Sequence, residues 1–137
     1  MTESTHINNN KIGTNLVHNS PKINNGVYII PCSSCNHVYV GETGRDLNVR
    51  IKEHQRDFSE KKLSSAAVSH FFDTGHSLNF KNAELRYKNK NINKRHIIES
   101  ALINQNKALC INQNLGFSPF NNVLSKIILQ STKVKFK

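Results

Sequence analysis

The chain has 137 residues, enough for one domain with a single modest core. It has no apolar run long enough to span a bilayer and no signal peptide with an apolar centre, so we expect a soluble intracellular protein without a membrane partner. The net charge of +10 and the pI near 9.8 favour an anionic partner, and nucleic acid is the expected one.

The first 25 residues are rich in Asn, Thr and Ser and lack apolar periodicity, which predicts a solvated tail or linker. Two β-rich runs follow. Residues 27–31 predict a strand ended by Pro31, which cannot donate to a ladder, and residues 37–40 predict a second strand stopped by Gly41. The short connection between them suits an antiparallel hairpin.

A first helix is predicted to begin near Thr43 or Asp46, either of which can cap exposed N–H groups. Its apolar positions follow helical spacing at Leu47, Ile51, His54 and Phe58. A second helix is capped by Ser64 or Ser65 and ends at Gly75.

The alternation at residues 83–87 predicts a third strand, and residues 92–106 give the strongest helical pattern in the chain. Residues 112–122 read as a loop, and residues 123–129 predict a short helix or strand before a basic tail. A small sheet with helices packed on it is an α+β fold. No glycine-rich loop follows a strand, so neither a P-loop nor a dinucleotide fingerprint is supported.

Three cysteines, an odd count, do not suggest a secreted disulfide framework. Cys32 and Cys35 form a CxxC pair inside the hairpin, and His70 and His76 follow at a spacing near that of a zinc finger. Two Cys and two His suit a tetrahedral structural Zn²⁺. The alternative is a reduced cysteine pair with two unrelated histidines, since the chain has seven histidines.

Cys110, in an apolar run, is expected in the core rather than as a hydrolase nucleophile.

Five further residues could cleave a phosphodiester bond, which requires an activated water, a cation for the developing charge and help for the leaving oxygen. The candidate catalytic residues are Tyr28, Tyr39, Arg50, His54 and Glu99. Arg50 offers a forked cation suited to phosphate oxygens, and His54 lies one turn later on the same helix face. Glu99 can hold one Mg²⁺, which keeps several waters. Each residue alone is more often an ordinary strand or surface residue, and only their joint order and spacing point to a catalytic site.

These residues lie in motifs that resemble, in order, those of the GIY-YIG endonucleases: Gly26-Val27-Tyr28, Tyr39-Val40-Gly41-Glu42-Thr43, Arg50-x-x-x-His54, Ile98-Glu99-x-x-Leu102-Ile103, and Asn112 or Asn114. The resemblance covers roughly residues 26–122, and the remaining 123–137 would be a short basic extension. It implies a three-stranded antiparallel sheet flanked by helices, with one divalent metal, Mg²⁺ or Mn²⁺, on Glu99.

The resemblance also implies roles for the site residues. Tyr28 would be the general base that activates water, directly or through a network. Arg50 and Tyr39 would stabilise the phosphate and the leaving group, and His54 would support the network or share proton transfer. A downstream asparagine would line the site, with Asn112 favoured over Asn114.

The cysteine pair in the hairpin, the Gly41-Glu42-Thr43-Gly44-Arg45 run and the Thr74-Gly75-His76 run resemble the endonuclease domain of Penelope-like retroelements. That family implies a DNA nickase used for target-site cleavage, a reverse transcriptase partner in cis or in trans, and a nuclear location. The chain is expected to be a separate domain, a truncated copy or a host-retained relative. The alternative function is a zinc-stabilised nucleic-acid-binding module whose nuclease activity has decayed; a structural interaction domain without nucleic acid fits the basic charge least.

Overall fold

The computed structural model describes residues 23–112 and 122–136. In chain order the strands and helices are β1 (Asn24–Pro31), β2 (Val38–Asp46), α1 (Leu47–Ser59), α2 (Ala66–Thr74), β3 (Glu84–Lys88), α3 (Ile92–Gln105) and α4 (Asn122–Thr132). Single 3₁₀ turns lie at Phe80–Asn82 and Lys107–Leu109. Among the described residues, no helix is long and apolar enough to cross a bilayer.

The sheet has three strands in the order β2-β1-β3, and both pairings are antiparallel. The expected α+β fold with a small antiparallel sheet flanked by helices is confirmed. Because β1 is central, its alternating side chains enter two different cores. Val27 and Ile29 face α3 and α4, whereas Tyr28 and Ile30 face α1 and α2. Tyr28 therefore points into the layer that carries the first two helices.

The helix boundaries follow the expected capping residues. Asp46 caps α1 by accepting a hydrogen bond from the Asn48 amide, whereas Ser65 occupies the N-cap position of α2 without a side-chain capping hydrogen bond. Gly75 ends α2 in the left-handed conformation with φ of 77°, which glycine adopts without a steric penalty. The segment after residue 122, expected as a short helix or strand, is the helix α4 and packs on α3. Most of the expected 112–122 loop lies outside the described residues.

Both strands of the first hairpin are longer than the sequence suggested. β1 begins at Asn24. Its pairing with β2 shifts register between Asn24 and Gly26, where Asn25 adopts a left-handed φ of 58°, and the two strands are paired on both sides of this shift. β2 continues past Gly41, so the expectation that this glycine ends the strand is wrong. Gly41 stays in the ladder opposite Tyr28 and leaves room for its ring. Cys110 lies in the core, as expected, and burial raises the pKa of its thiol to about 11, which does not suit a nucleophile.

Candidate functional site

An open cleft of about 380 Å³ lies where α1, the start of α2 and α3 meet the edge of β2. It contains five of the six candidate catalytic residues, one further acidic residue, and the residues at the start of α2. The lining residues are Tyr39, Arg50, His54, Asp57, Ser64, Ser65, Ala66, Glu99 and Asn112. The fold thus gathers side chains that are up to 73 positions apart, Tyr39 and Asn112, into one concave surface.

Tyr28, the sixth candidate, lies beneath this surface and is fully buried. Its hydroxyl oxygen is 2.7 Å from His54 Nε2, a hydrogen bond that links β1 to α1. Burial, followed by the positive charge of Arg50, lowers the pKa of His54 to about 4. His54 is therefore neutral at physiological pH, with one ring nitrogen as a hydrogen-bond donor and the other as an acceptor. Since His54 also lines the cleft, it connects the buried phenol to any substrate bound there.

Gly41 explains how Tyr28 reaches this position. A Cβ at residue 41 would lie 2.5 Å from both the Cζ and the hydroxyl oxygen of Tyr28, far inside van der Waals contact. Gly26 is equally constrained, because a Cβ there would lie 2.3 Å from the Tyr87 carbonyl oxygen on β3. Both glycines of the two triplets are thus required by close packing around the buried tyrosine and its strand.

Arg50 is held in place by Glu53, whose carboxylate accepts a hydrogen bond of 2.7 Å from the guanidinium. The same carboxylate forms an ion pair of 2.6 Å with Arg45. Burial raises the pKa of both Tyr28 and Tyr39, and the charge of Arg50 acts against this rise. Arg50 is therefore close enough to both phenols to stabilise negative charge on either of them, or on a phosphate in the cleft.

Glu99 is half-buried at the cleft, and the arginine one turn before it on α3 pairs with another carboxylate. Arg95 is buried and forms an ion pair of 2.9 Å with Glu42. Burial, followed by the negative charge of Glu42, raises the pKa of Glu99 to about 7, and Arg50 opposes this shift. Burial makes the Glu99 carboxylate costly to ionise on its own. A divalent cation bound in the open polar cleft would stabilise that charge, so the carboxylate suits a cation site. One carboxylate with room for waters is the donor set that Mg²⁺ prefers.

Asn112 joins the cleft to the edge of β2. Its side-chain oxygen accepts a hydrogen bond of 2.9 Å from the Val40 amide, and its side-chain NH₂ donates to the Val40 carbonyl. The amide thus pairs with the edge strand as another strand would, and this fixes it beside Tyr39. Asn114, the alternative candidate, lies outside the described residues.

The proposed zinc ligands also come together, at the turn of the same hairpin and the second half and end of α2. Cys32, Cys35, His70 and His76 each offer a ligand atom, and these atoms all lie within 4.8 Å of one another. Nε2 of His70 is 3.4 Å from the Cys32 sulfur and 3.7 Å from the Cys35 sulfur. A tetrahedral zinc with bonds of about 2.3 Å to sulfur and 2.0 Å to nitrogen would separate such donors by about 3.5 Å.

The surroundings of two histidines also suit a metal at this cluster. Nδ1 of His76 is buried and has no hydrogen-bond partner among the described residues, which suits an atom that a metal can bind. His37, which the sequence argument did not consider, places its Nδ1 3.4 Å from the Cys35 sulfur. A histidine at this distance can donate a hydrogen bond to a metal-bound thiolate. The residues present therefore fit a structural zinc.

A family model described as the GIY-YIG catalytic domain matches residues 24–114. The chain belongs to the GIY-YIG family. Searches of curated proteins and of solved structures gave no match. GIY-YIG domains are nuclease domains that use divalent metals and act on DNA, so the family agrees with the cleft described above. The finer resemblance to Penelope-like elements is not shown by these comparisons.

Several residues that shape this GIY-YIG cleft were not singled out from the sequence. Glu53 holds Arg50, Asp57 lines the cleft, and Arg95 forms an ion pair with Glu42 near Glu99. Glu53 could have been recognised, because it follows Arg50 by three positions on a helix face, where opposite charges meet. The pairing of Glu42 with Arg95 spans 53 positions, and no local spacing signals it.

Proposed function

We propose that the chain is a DNA endonuclease that hydrolyses one phosphodiester bond at each visit and so nicks one strand. The observation that carries the proposal is the joint presence of Tyr39, Arg50, His54 and Glu99 on one cleft, with Tyr28 hydrogen-bonded to His54 beneath it. A chain with this one cleft can hydrolyse one phosphodiester bond at a time, and Glu99 can hold the cation for that step.

In this proposal, Arg50 directs its guanidinium at the oxygens of the scissile phosphate, and Glu53 keeps it in that orientation. Tyr28 is the general base. It acts as the phenolate, whose charge Arg50 favours against the effect of burial. Because its oxygen is fully buried, the proton of the attacking water passes to neutral His54, and His54 gives the ring proton on its Tyr28 side to the phenolate. Tyr39, at the cleft surface, stabilises the phosphate or the leaving group.

Glu99 holds the catalytic cation, Mg²⁺ with Mn²⁺ as the alternative, and a bound cation supplies stabilisation of the charge on the leaving oxygen. Asn112 keeps the edge of β2, and with it Tyr39, in position through its two hydrogen bonds to Val40. The four residues Cys32, Cys35, His70 and His76 hold a structural Zn²⁺ that fastens the hairpin to α2.

We further propose that the domain spans residues 26–122 and derives from a Penelope-like retroelement, where it would cut the target DNA in the nucleus for a reverse transcriptase acting in cis or in trans. The support is the cysteine pair inside the hairpin and the fact that it meets His70 and His76 in space. The zinc-like cluster is also compatible with a second function, a nucleic-acid-binding module without cleavage.

The test is nicking of supercoiled plasmid with Mg²⁺, compared with the same reaction in EDTA. Arg50→Ala should lower the rate by about a hundredfold or more, the cost of removing a preorganised charge from a transition state. Arg50→Lys should rescue poorly because the forked geometry is lost. Lys52→Ala is the matched control, since this exposed cation lies on the same helix outside the cleft. Near-normal nicking by Arg50→Ala would remove Arg50 from the mechanism.

A further inference from the structure

An exposed aromatic patch, defined by Phe58, Phe71 and Phe72, lies on the side of the protein formed by α1 and α2. Phe71 and Phe72 expose 38% and 56% of their surface. The ring of Phe71 is 5.1 Å from that of Phe58 and 6.0 Å from that of Phe72. Since α2 enters the core through Ala67 and Val68, the exposed rings are not what attaches the helix.

The patch is continuous with the cleft along both helices. Phe58 follows His54 by four positions and so lies one turn farther along the same face of α1. Ser65 lines the cleft at the start of α2, and Phe72 follows it by seven positions. Seven residues are about two helical turns, so Phe72 lies on the same side of α2, about 10 Å from the cleft wall.

The attraction for nucleic acid comes from the chain as a whole, which carries a net charge of +10. Beside the patch, the turn between the two helices contributes Lys61 and Lys62, and Lys62 is paired with Asp57 and Glu60. His70, within contact distance of both cluster cysteines, anchors the segment that carries Phe71 and Phe72. The rings are therefore presented by a fixed helix, at a distance from the cleft that a few nucleotides would span.

We propose that the aromatic patch stacks on an unpaired base of the strand being cut, a few nucleotides from the phosphate held in the cleft. The substrate class would then be DNA with unpaired nucleotides beside the cleavage site. This inference rests on the proposed nuclease function. A phenyl ring gains most from a base whose face is uncovered, and in a paired duplex both faces are covered by neighbouring bases. Base–aromatic stacking typically changes affinity by about five- to a hundredfold per base.

The experiment measures binding by fluorescence anisotropy without divalent cations, using a fully paired duplex and the same duplex with a short single-stranded gap. The wild-type chain should bind the gapped DNA at least about fivefold more tightly. Phe72→Ala and Phe72→Leu should both lose this preference, whereas Phe72→Trp should keep it. Ile127→Ala is the control, because Ile127 is 55% exposed on α4, in the other helical layer. The thermal midpoint of each variant checks that the fold is retained.

The Phe72→Leu variant distinguishes stacking on a nucleic-acid base from binding of a protein partner. A protein-binding patch would accept the apolar leucine, so retention of the preference by Phe72→Leu would overturn the proposal. A wild-type chain without any preference for gapped DNA would overturn it as well. Because binding is read without cleavage, a chain that nicks plasmid but shows no preference would refute only this inference. A preference lost in Phe72→Ala, in a chain that never nicks, would support the patch and refute the nuclease proposal.

Discussion

Cys32→Ser tests the zinc site, and the structure gives the size of the effect. Cys32 and His70 are 38 positions apart, and their donor atoms approach to 3.4 Å. A cross-link that closes a loop of this length restricts the unfolded chain by about 4 kcal/mol. The total stability of a domain is only about 5–15 kcal/mol, so loss of the metal should remove a large part of it. For a domain of this size, the corresponding fall in Tm is about 15 °C.

The assay pairs metal analysis with thermal unfolding on protein purified without chelators. The wild-type chain should carry about one zinc, the stoichiometry of one tetrahedral site. Cys32→Ser should lose zinc and Tm together, because structural metal binding contributes directly to folding. Cys110→Ala is the matched control. This buried cysteine lies outside the cluster, so the variant should lose some packing energy but keep its zinc. A wild-type chain that folds without zinc would refute the site.

Two further predictions concern the cleft. Gly41→Ala should destabilise the fold by about 1–3 kcal/mol and abolish most nicking, because the new methyl group would overlap the Tyr28 hydroxyl; unchanged unfolding in urea would contradict this packing. The carboxyl of Glu99, with its pKa raised from 4.5 to about 7, must lose its proton to bind a cation, so affinity for Mn²⁺ measured by calorimetry should fall as the pH falls below about 7. Without metal, the folded state holds this proton more tightly than the unfolded state, so stability should decrease as the pH rises from about 4.5 to 7, and Glu99→Gln should remove that slope.

The architecture could be predicted from local signals. The helix boundaries at Asp46, Ser65 and Gly75 lie where the residue types predict them, and the strands of the hairpin have the expected β-rich composition. The strand ends were less predictable. A glycine normally weakens a strand, and only the position of the Tyr28 ring on the opposite strand explains why Gly41 continues one.

Which residues line the cleft was also predictable from the order of the motifs, but the ion pairs and pKa values around the cleft were not. Arg50, His54 and Glu99 line one cleft, as their order in the motifs predicts. The sequence could not indicate that Arg95 would turn to Glu42, or that Glu99 would be left half-buried with a raised pKa. These properties depend on which side chains meet across 53 positions of chain, and only the packing of α3 on β2 determines that.

The most direct test of the central claim compares the wild-type chain with Glu99→Gln in DNA binding by anisotropy and in nicking of supercoiled plasmid. Glu99→Gln removes a negative charge from a cleft that faces phosphate, so DNA binding should hold or tighten. Nicking should collapse, because the anionic oxygen that holds the cation is gone. A Glu99→Gln chain that nicks at the wild-type rate would contradict the metal assignment, and a wild-type chain that binds DNA but never nicks with any divalent cation would contradict the nuclease function itself.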